Sequence, residues 1–539
     1  MIKTMFDIEK ISENKIIIFL ILASFLITLY CQYPLLINKY ALNDDVRQNI
    51  YIFLKNQDKS LFNNDFITDF YSKWSPWGVN IFYSIISLFY DPIQFTKILP
   101  FFLCFISSLY MFKIGKLLKG NIAGILSGVL YIFIIWSDNK YEFMGAGGVM
   151  NFAMIFFIIF LYYFLKKNIL RMGLSLIFQL IFFYPPTFLI CLLAYIWDIF
   201  YKYKKIKKAE IYYLLFLVLI ISFLVILKAS NSQLQLFGFN NISGMPEFYP
   251  GGRKVLFYPS LLEQLVNAET GFAITFPVKF LILALLFLLL FLKRHSFEAP
   301  KKLCYFIIAS FILYIFATIM LYKLYGPARY IRYSLPTILT ILVSINIANV
   351  LGKIKNINVR FFILISFLFF SAVLFIPTLY SDYSIAPKPK LYNFLQTLPK
   401  DILIAGHPTS MDYIPVYSKR KVLINEETSQ PMYANFYPVI KERTYNFFKA
   451  YYSNSAAEVY NFCKKYHITH LIVERRHFSK DYLANAEFYL NPFNTYIKSL
   501  IAGRKKFILM DTPKNEILFD DGDIFVIKIK DSSFQHTNI

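Results

Sequence analysis

Two carboxylates stand side by side in the run Asn43-Asp44-Asp45-Val46-Arg47-Gln48-Asn49-Ile50, directly after the first long apolar stretch. A carboxylate positioned against a substrate can take up a proton as a general base. The structural alternative is that two acids in a helix's first turn simply complement its dipole. Two arginines form a possible counterpart in Gly326-Pro327-Ala328-Arg329-Tyr330-Ile331-Arg332-Tyr333. A guanidinium fork binds phosphate oxygens in pairs, whereas a long cationic side chain beside a span can also snorkel to lipid headgroups. Arg253, within Pro250-Gly251-Gly252-Arg253-Lys254, is a weaker candidate of the same kind, because a loop arginine is commonly just solvated. Asp138 and Glu142 lie in a short loop, WSDNKYEFMGAGG, either as a second acidic site or as solvated loop residues. His467 and His470 imitate an HxxH pair but straddle a helix–strand junction, which makes a shared metal an incidental match.

The elements that must position these residues are membrane helices. The chain has 539 residues, of which 57% are apolar and only 17% charged. Soluble globules carry about 25% charged residues, so a water-soluble enzyme, a disordered chain and a disulfide scaffold are all excluded. A span needs about 20 mostly apolar residues. Eleven segments qualify, at 16–36, 95–112, 121–137, 148–165, 169–183, 186–201, 211–228, 276–292, 303–322, 333–351 and 361–378. The two at 169–201 are separated only by Tyr184-Pro185-Pro186, where two missing backbone donors break the helix. The net charge of +23 sits mostly in five short loops, which hold eighteen Lys and Arg residues. Such loops are cytoplasmic, so the charge reports topology and no nucleic-acid partner is expected. An amino terminus in the cytoplasm and a carboxyl end outside follow from eleven crossings. Segment 77–90 is apolar but too short, and with Trp74 and Trp77 beside it reads as an interfacial or re-entrant helix.

Three segments outside the spans exceed an ordinary loop: 37–94, 229–275 and 379–539. All fall on the outer face, which places any chemistry there. In the first, Val46, Ile50 and Phe53 recur at helical spacing, predicting an amphipathic helix lying on the membrane. The tail alternates helix and strand. Residues 389–398 and 455–466 read as helices, the second capped by Ser455 with Glu458 three positions on. Asp401–Ala405, Lys421–Ile424 and His470–Val473 read as strands, and Asp520-Asp521-Gly522-Asp523 as a hairpin turn. The expected fold class is therefore an all-α polytopic membrane domain, 1–378, followed by a soluble α/β domain, 379–539. The tail carries no GxGxxG, P-loop or CxxC.

An acidic pair just after the first span, an outer segment with interfacial helices (DDVRQNIYIF…DFITDFYSKWSPWGVNIFY…YDPIQFTKILP) and a soluble outer tail resemble the GT-C class of integral-membrane glycosyltransferases, in a bacterial branch. The resemblance covers the membrane architecture and first outer segment well and the tail loosely. It implies a sugar donor on polyprenyl phosphate or diphosphate and a glycan, lipid or protein acceptor at the outer face of the inner membrane. It carries a base role to Asp44 or Asp45 without choosing between them, and it makes Asp138 and Glu142 candidates for a second acidic site. Sugar transfer with inversion needs a carboxylate to accept the acceptor's proton and cations to hold the departing lipid phosphate. Arg329 and Arg332 suit that second need, with Arg253 behind them. A divalent metal would need several oxygen ligands; Asp45 with Asp138 could supply some, but no cofactor is required. The same class includes oligosaccharide transferases. A transporter or flippase would instead need ionisable residues deep in the spans and inverted repeats, and neither is evident. A mere anchor for the tail would not need so many spans.

Overall fold

In a computed structural model of the protein, the described residues are 8–137, 144–145, 147–201, 234–267, 270–272, 275–292, 296–321, 323–324, 326–504 and 506–529, with isolated positions between 202 and 233. Asp138, Glu142 and most of the expected span at 211–228 lie outside them. Five helices are long and apolar enough to cross a membrane: Glu13–Ile37, Pro92–Trp136, Lys301–Met320, Ala328–Gly352 and Ile357–Thr378. Shorter apolar helices occupy Trp77–Ile86, Val149–Leu165, Ile169–Ile181, Pro185–Tyr201 and Pro277–Leu290. The protein is a mostly helical, multi-pass membrane protein with a sheet-containing C-terminal domain.

Pro92–Trp136 is a hairpin and not a single rod. Asp91 caps its start, accepting the amides of Ile93 (2.8 Å) and Gln94 (3.1 Å) ahead of an apolar run. The chain leaves helical geometry at Lys119 and Gly120, the latter at φ +86°, a conformation that favours glycine. The two arms pack tightly because Gly115 has no side chain; a Cβ there would lie 2.4 Å from the Ala123 carbonyl oxygen. Thus 95–112 and 121–137 are the two arms, as the sequence spacing predicts. The hairpin packs against the first helix and against Leu335–Gly352 at the centre of the bundle. The diproline break is also present, with helices ending at Ile181 and restarting at Pro185.

Polar contacts define two faces of this bundle. On one, Lys116 pairs with Glu13 at 2.6 Å, Lys119 pairs with Glu298, and Lys302 donates to the Phe164 carbonyl at 2.6 Å. The basic loops near 116, 166 and 300 therefore share a face with the start of the first helix. On the other, strand β1 (Ala41–Leu42) pairs antiparallel with β2 (Ser384–Ile385), joining the first outer segment to the beginning of the tail. Val46, Ile50, Phe53 and Phe70 occupy one apolar cluster with Leu391, Met411, Ile414 and Phe436 of the tail. Phe436 stacks on Phe70 at 3.9 Å and on Phe66 at 5.3 Å between ring centroids. The expectation that the Val46–Ile50 face lies on the membrane is corrected here: that face is buried against the tail. Periodicity identifies a face that must be covered but not the surface that covers it. Trp77–Ile86 is a short apolar helix that leaves Trp77, Ile81 and Ile85 exposed.

The tail is built on a five-stranded sheet in the order β4-β3-β5-β7-β6. Strands β3 (Leu403–Ala405), β4 (Lys421–Val422) and β5 (His470–Glu474) run parallel; β6 (Ile517–Asp520) and β7 (Ile524–Lys528) form an antiparallel hairpin on β5. Gly522 makes its turn at φ +94°. Helices Pro389–Thr397 and Ala456–Tyr466 stand where expected. Ser455 caps the second, accepting the Glu458 amide at 3.4 Å, while the Glu458 carboxylate accepts the Ser453 hydroxyl.

Candidate active site

The acidic pair is set by what ends the first helix. Lys97, buried at 3% exposure, donates from Nζ to the carbonyls of Leu35 (2.9 Å) and Asn38 (3.0 Å). A cation at a helix C-terminus satisfies orphan carbonyls and opposes the dipole. Five residues on, the short helix Asp44–Asn49 begins at Asn43. The Asn43 side chain accepts the Asp45 amide at 3.1 Å and donates to the Asp382 carbonyl at 2.9 Å. One asparagine thus caps the helix that carries both acids and fastens it to the start of the tail.

The two carboxylates then differ. Asp44 is half exposed and paired with Arg47 one turn on. Arg47 is also within 3.6 Å of Asp412 and 3.8 Å of Glu427, with its guanidinium 4.6 Å above the Tyr413 ring. Asp45 has no side-chain hydrogen bond to any described residue. Burial, helped by the nearby Glu427 charge, pushes its pKa up to about 6, while Arg329 and Lys254 hold it down. A carboxyl near that value is mostly ionised at neutral pH yet accepts a proton readily, which suits a general base. Asp44 has no such freedom.

Arg329, in the short helix Ala328–Arg332, lies close enough to Asp45 to act on its charge. It donates to the Tyr184 hydroxyl at 2.9 Å and contacts the Met150 sulfur at 3.2 Å. Arg332 is only 4% exposed. Neither side chain reaches out along the bundle surface as a snorkelling arginine does. Arg253 is committed elsewhere: Nε donates to the Glu426 carbonyl at 3.0 Å, Nη2 to the Glu427 carbonyl at 3.2 Å, and it pairs with the Glu427 carboxylate at 3.3 Å. The expectation of a phosphate contact from Arg253 gives way to a structural tie between the second outer segment and the tail. Its neighbour Lys254 is a second cation, after Arg329, that acts on Asp45.

Sequence reasoning missed the tail's share of this site. The loop Asn425-Glu426-Glu427-Thr428 is clamped by Gln48, donating to the Glu427 carbonyl at 3.2 Å, and by the Tyr71 hydroxyl, donating to the Thr428 carbonyl at 2.9 Å. The Asp412 carboxylate accepts the Glu427 amide at 2.9 Å. Burial and Glu427 push the Asp412 pKa up to about 8. Asp44, Asp412 and Glu427 share two cations, Arg47 and Arg253, so one of the three acids retaining a proton balances the charge. No spacing announces this group; the only trace is an adjacent acidic pair in the tail.

Among the described residues no cluster of three or more His, Cys, Asp or Glu side chains could hold a metal ion. Asp44, Asp412 and Glu427 all face Arg47, which leaves Asp45 as the one carboxylate of this group without a cation in contact among the described residues. Asp138, its expected partner, and Glu142 are outside the described residues. His467 caps a helix end at φ +55°, and His470 is buried in β5; they do not form a pair.

No family model matches the chain, and no curated protein matches it. Solved structures do. The crystal structure of the Archaeoglobus fulgidus oligosaccharyltransferase in complex with Zn and sulfate matches at TM-score 0.50 and 10% identity, covering 87% of this chain and 69% of that one. The apo form of the same enzyme matches at TM-score 0.50 and 11% identity, covering 88% and 71%. At that identity the likeness concerns the fold, and it extends over both the helical bundle and the tail. The chain therefore shares its fold with that oligosaccharyltransferase.

Proposed function

We propose that this chain is a lipid-dependent glycosyltransferase working at the outer face of a bacterial inner membrane, with a cytoplasmic amino terminus. The observation that supports it best is that Asp45, with no side-chain hydrogen bond to a described residue, lies near enough to Arg329 to feel its charge. In the reaction we infer, the acceptor hydroxyl loses its proton to Asp45 as its oxygen bonds to the anomeric carbon. The bond from that carbon to the lipid phosphate breaks, and its electron pair leaves on the phosphate. Inversion follows from attack opposite the leaving group. Arg329, with Arg332 behind it and Lys254 beside it, holds the phosphate as its charge grows. Asp44 and Arg47 position Asp45 and lock the tail loop in place.

The same reading takes the eleven apolar segments as eleven crossings, with residues 1–378 as the catalytic membrane domain and 379–539 as an extracytoplasmic domain. The donor is a polyprenyl-phosphate-linked sugar. Likeness to an oligosaccharyltransferase, whose fold is shared, also fits transfer of a preassembled glycan, and product mass separates the two. The test is mass spectrometry of envelope glycans from a deletion strain complemented with the native gene or with Asp45→Asn. Loss of one glycan in both the deletion and the Asp45→Asn strain supports the assignment. An unchanged glycan profile in the deletion strain defeats it.

A further inference from the structure

The end of the bundle opposite the tail carries a cluster of cations that the reaction above does not use. Those cations are not all alike. Lys116 and Lys119 are neutralised by Glu13 and Glu298, whereas Lys113, Lys166 and Arg171 pair with no acid among the described residues. These three converge on three tyrosines supplied by two helices. Lys113, on the first arm of the Pro92–Trp136 hairpin, lies over the Tyr110 ring at 5.2 Å from its centroid. Lys166 lies over Tyr162 at 5.6 Å and Arg171 over Tyr163 at 5.5 Å. Tyr162 and Tyr163 stand 5.6 and 6.3 Å from Tyr110, and Arg171 Nη1 donates to the Tyr163 hydroxyl at 3.3 Å. Topology needs positive charge in a loop but does not need it to converge. Helix polarity does not account for it either. A cation is favoured at a helix C-terminus, where Lys166 stands, and disfavoured in a first turn, where Arg171 stands.

Deeper in the bundle the same helices form an apolar seam. On Ile169–Ile181, Arg171, Leu174 and Phe178 follow at i, i+3 and i+7, one face of a helix, and Leu174 and Phe178 are 47% and 45% exposed. On Val149–Leu165, Tyr163, Ile159 and Phe156 make a matching half-buried stripe. The stripes meet at Phe156 and Phe178, stacked at 5.3 Å, and again at Tyr163 and Arg171. The seam therefore runs from an apolar floor to a cationic mouth ringed by tyrosines, which prefer the headgroup level. A free phosphate would use only the mouth, and the ammonium of a zwitterionic lipid would meet three cations there. Basic pockets between membrane helices suit anionic headgroups. We propose that this seam binds an anionic phospholipid of the leaflet opposite the tail. Its phosphate sits among Lys113, Lys166 and Arg171, and one acyl chain lies along Phe156, Leu174 and Phe178. The site is on the other face of the bundle from Asp45 and is separate from the transfer reaction.

Native mass spectrometry of the full chain in detergent tests this, titrating phosphatidylglycerol and phosphatidylethanolamine of identical acyl chains. The native chain is expected to bind the first phosphatidylglycerol about tenfold or more tightly than phosphatidylethanolamine, the scale of two or three cations at a membrane surface. Equal affinity for the two lipids overturns the proposal without recourse to any variant. The doubly substituted Lys166→Gln, Arg171→Gln chain should lose that preference. A second double variant, Lys353→Gln with Lys355→Gln, removes the same charge from the exposed residues after Leu335–Gly352 and should keep it. Equal loss in both variants, or loss in neither, reduces the preference to diffuse charge attraction or places it elsewhere, and either result overturns the site. Excess inorganic phosphate should leave the bound phosphatidylglycerol in place; its displacement assigns the mouth to a free anion and overturns the lipid.

Discussion

The Asp45 environment predicts how the reaction responds to pH. With a pKa pushed to about 6, its carboxyl is about nine-tenths ionised at pH 7 and about one-tenth at pH 5. A base must be ionised to act, so the single-turnover rate at saturating donor should fall about tenfold for each unit below 6. The neighbours give the test its specificity because they act in opposite senses. Arg329 holds the pKa down, so Arg329→Gln should move the acidic limb upward; Glu427 raises it, so Glu427→Gln should move the limb downward. Each displacement should be about one unit, the smaller end of the effect of a nearby charge. The measurement is release of labelled polyprenyl phosphate by the purified chain in nanodiscs, scored by the midpoint of the pH profile and not by the rate. Weaker donor binding in Arg329→Gln lowers the rate without moving that midpoint. A profile flat from pH 5 to 7.5, or displacement of both variants in one direction, refutes the placement of Asp45 between these charges.

Three further outcomes follow from the junction between the first outer segment and the tail. Arg47→Met removes the partner of Asp44 and one of the two cations beside Glu427, leaving Arg253 in place, and a loss of about 1–3 kcal/mol is expected, visible as a lower Tm for the chain in detergent. Phe436→Ala removes a ring that is 1% exposed and stacked on Phe66 and Phe70. Its expected cost of about 3–5 kcal/mol should also loosen the tail, read as faster proteolysis between 379 and 400. For Asp412 the sign with pH is definite: its pKa is raised on folding, so the folded chain keeps a proton that the unfolded chain releases near pH 4. Its contribution to stability is present below that pH and is lost as pH rises toward 8. Asp412→Asn keeps an acceptor for the Glu427 amide and should flatten the fall in Tm between pH 5 and 8.

The helical architecture was legible because membrane helices announce themselves locally. A hydrocarbon core demands long apolar runs, and Tyr184-Pro185-Pro186 and Lys119-Gly120 break those runs where the backbone does. The tail's strands and its Asp-Gly hairpin were likewise readable from alternation and turn chemistry. Burial partners were not. Val46 and Ile50 show a helical stripe whatever covers them, and only the fold reveals that Phe70 and Phe436 belong to one core. The candidate acids were half legible: a doublet after the first span was visible, but what separates Asp44 from Asp45 is Arg47, held by Asp412 and Glu427 from more than 350 residues further along the chain. Arg253 misled for the same reason. A loop arginine looks solvated or free to bind phosphate until its partners, here the carbonyls of 426 and 427, are in view.

The account rests on one distinction, that Asp45 takes the proton while Asp44 holds Arg47. Asp44→Asn and Asp45→Asn, each expressed in the deletion strain at matched membrane abundance, decide it through the amount of glycan product measured by mass spectrometry. The structure predicts that Asp45→Asn lowers transfer by about 10²–10⁴-fold, the contribution of a general base, and that Asp44→Asn retains most of it. Loss of product in Asp44→Asn with transfer retained in Asp45→Asn would contradict the account.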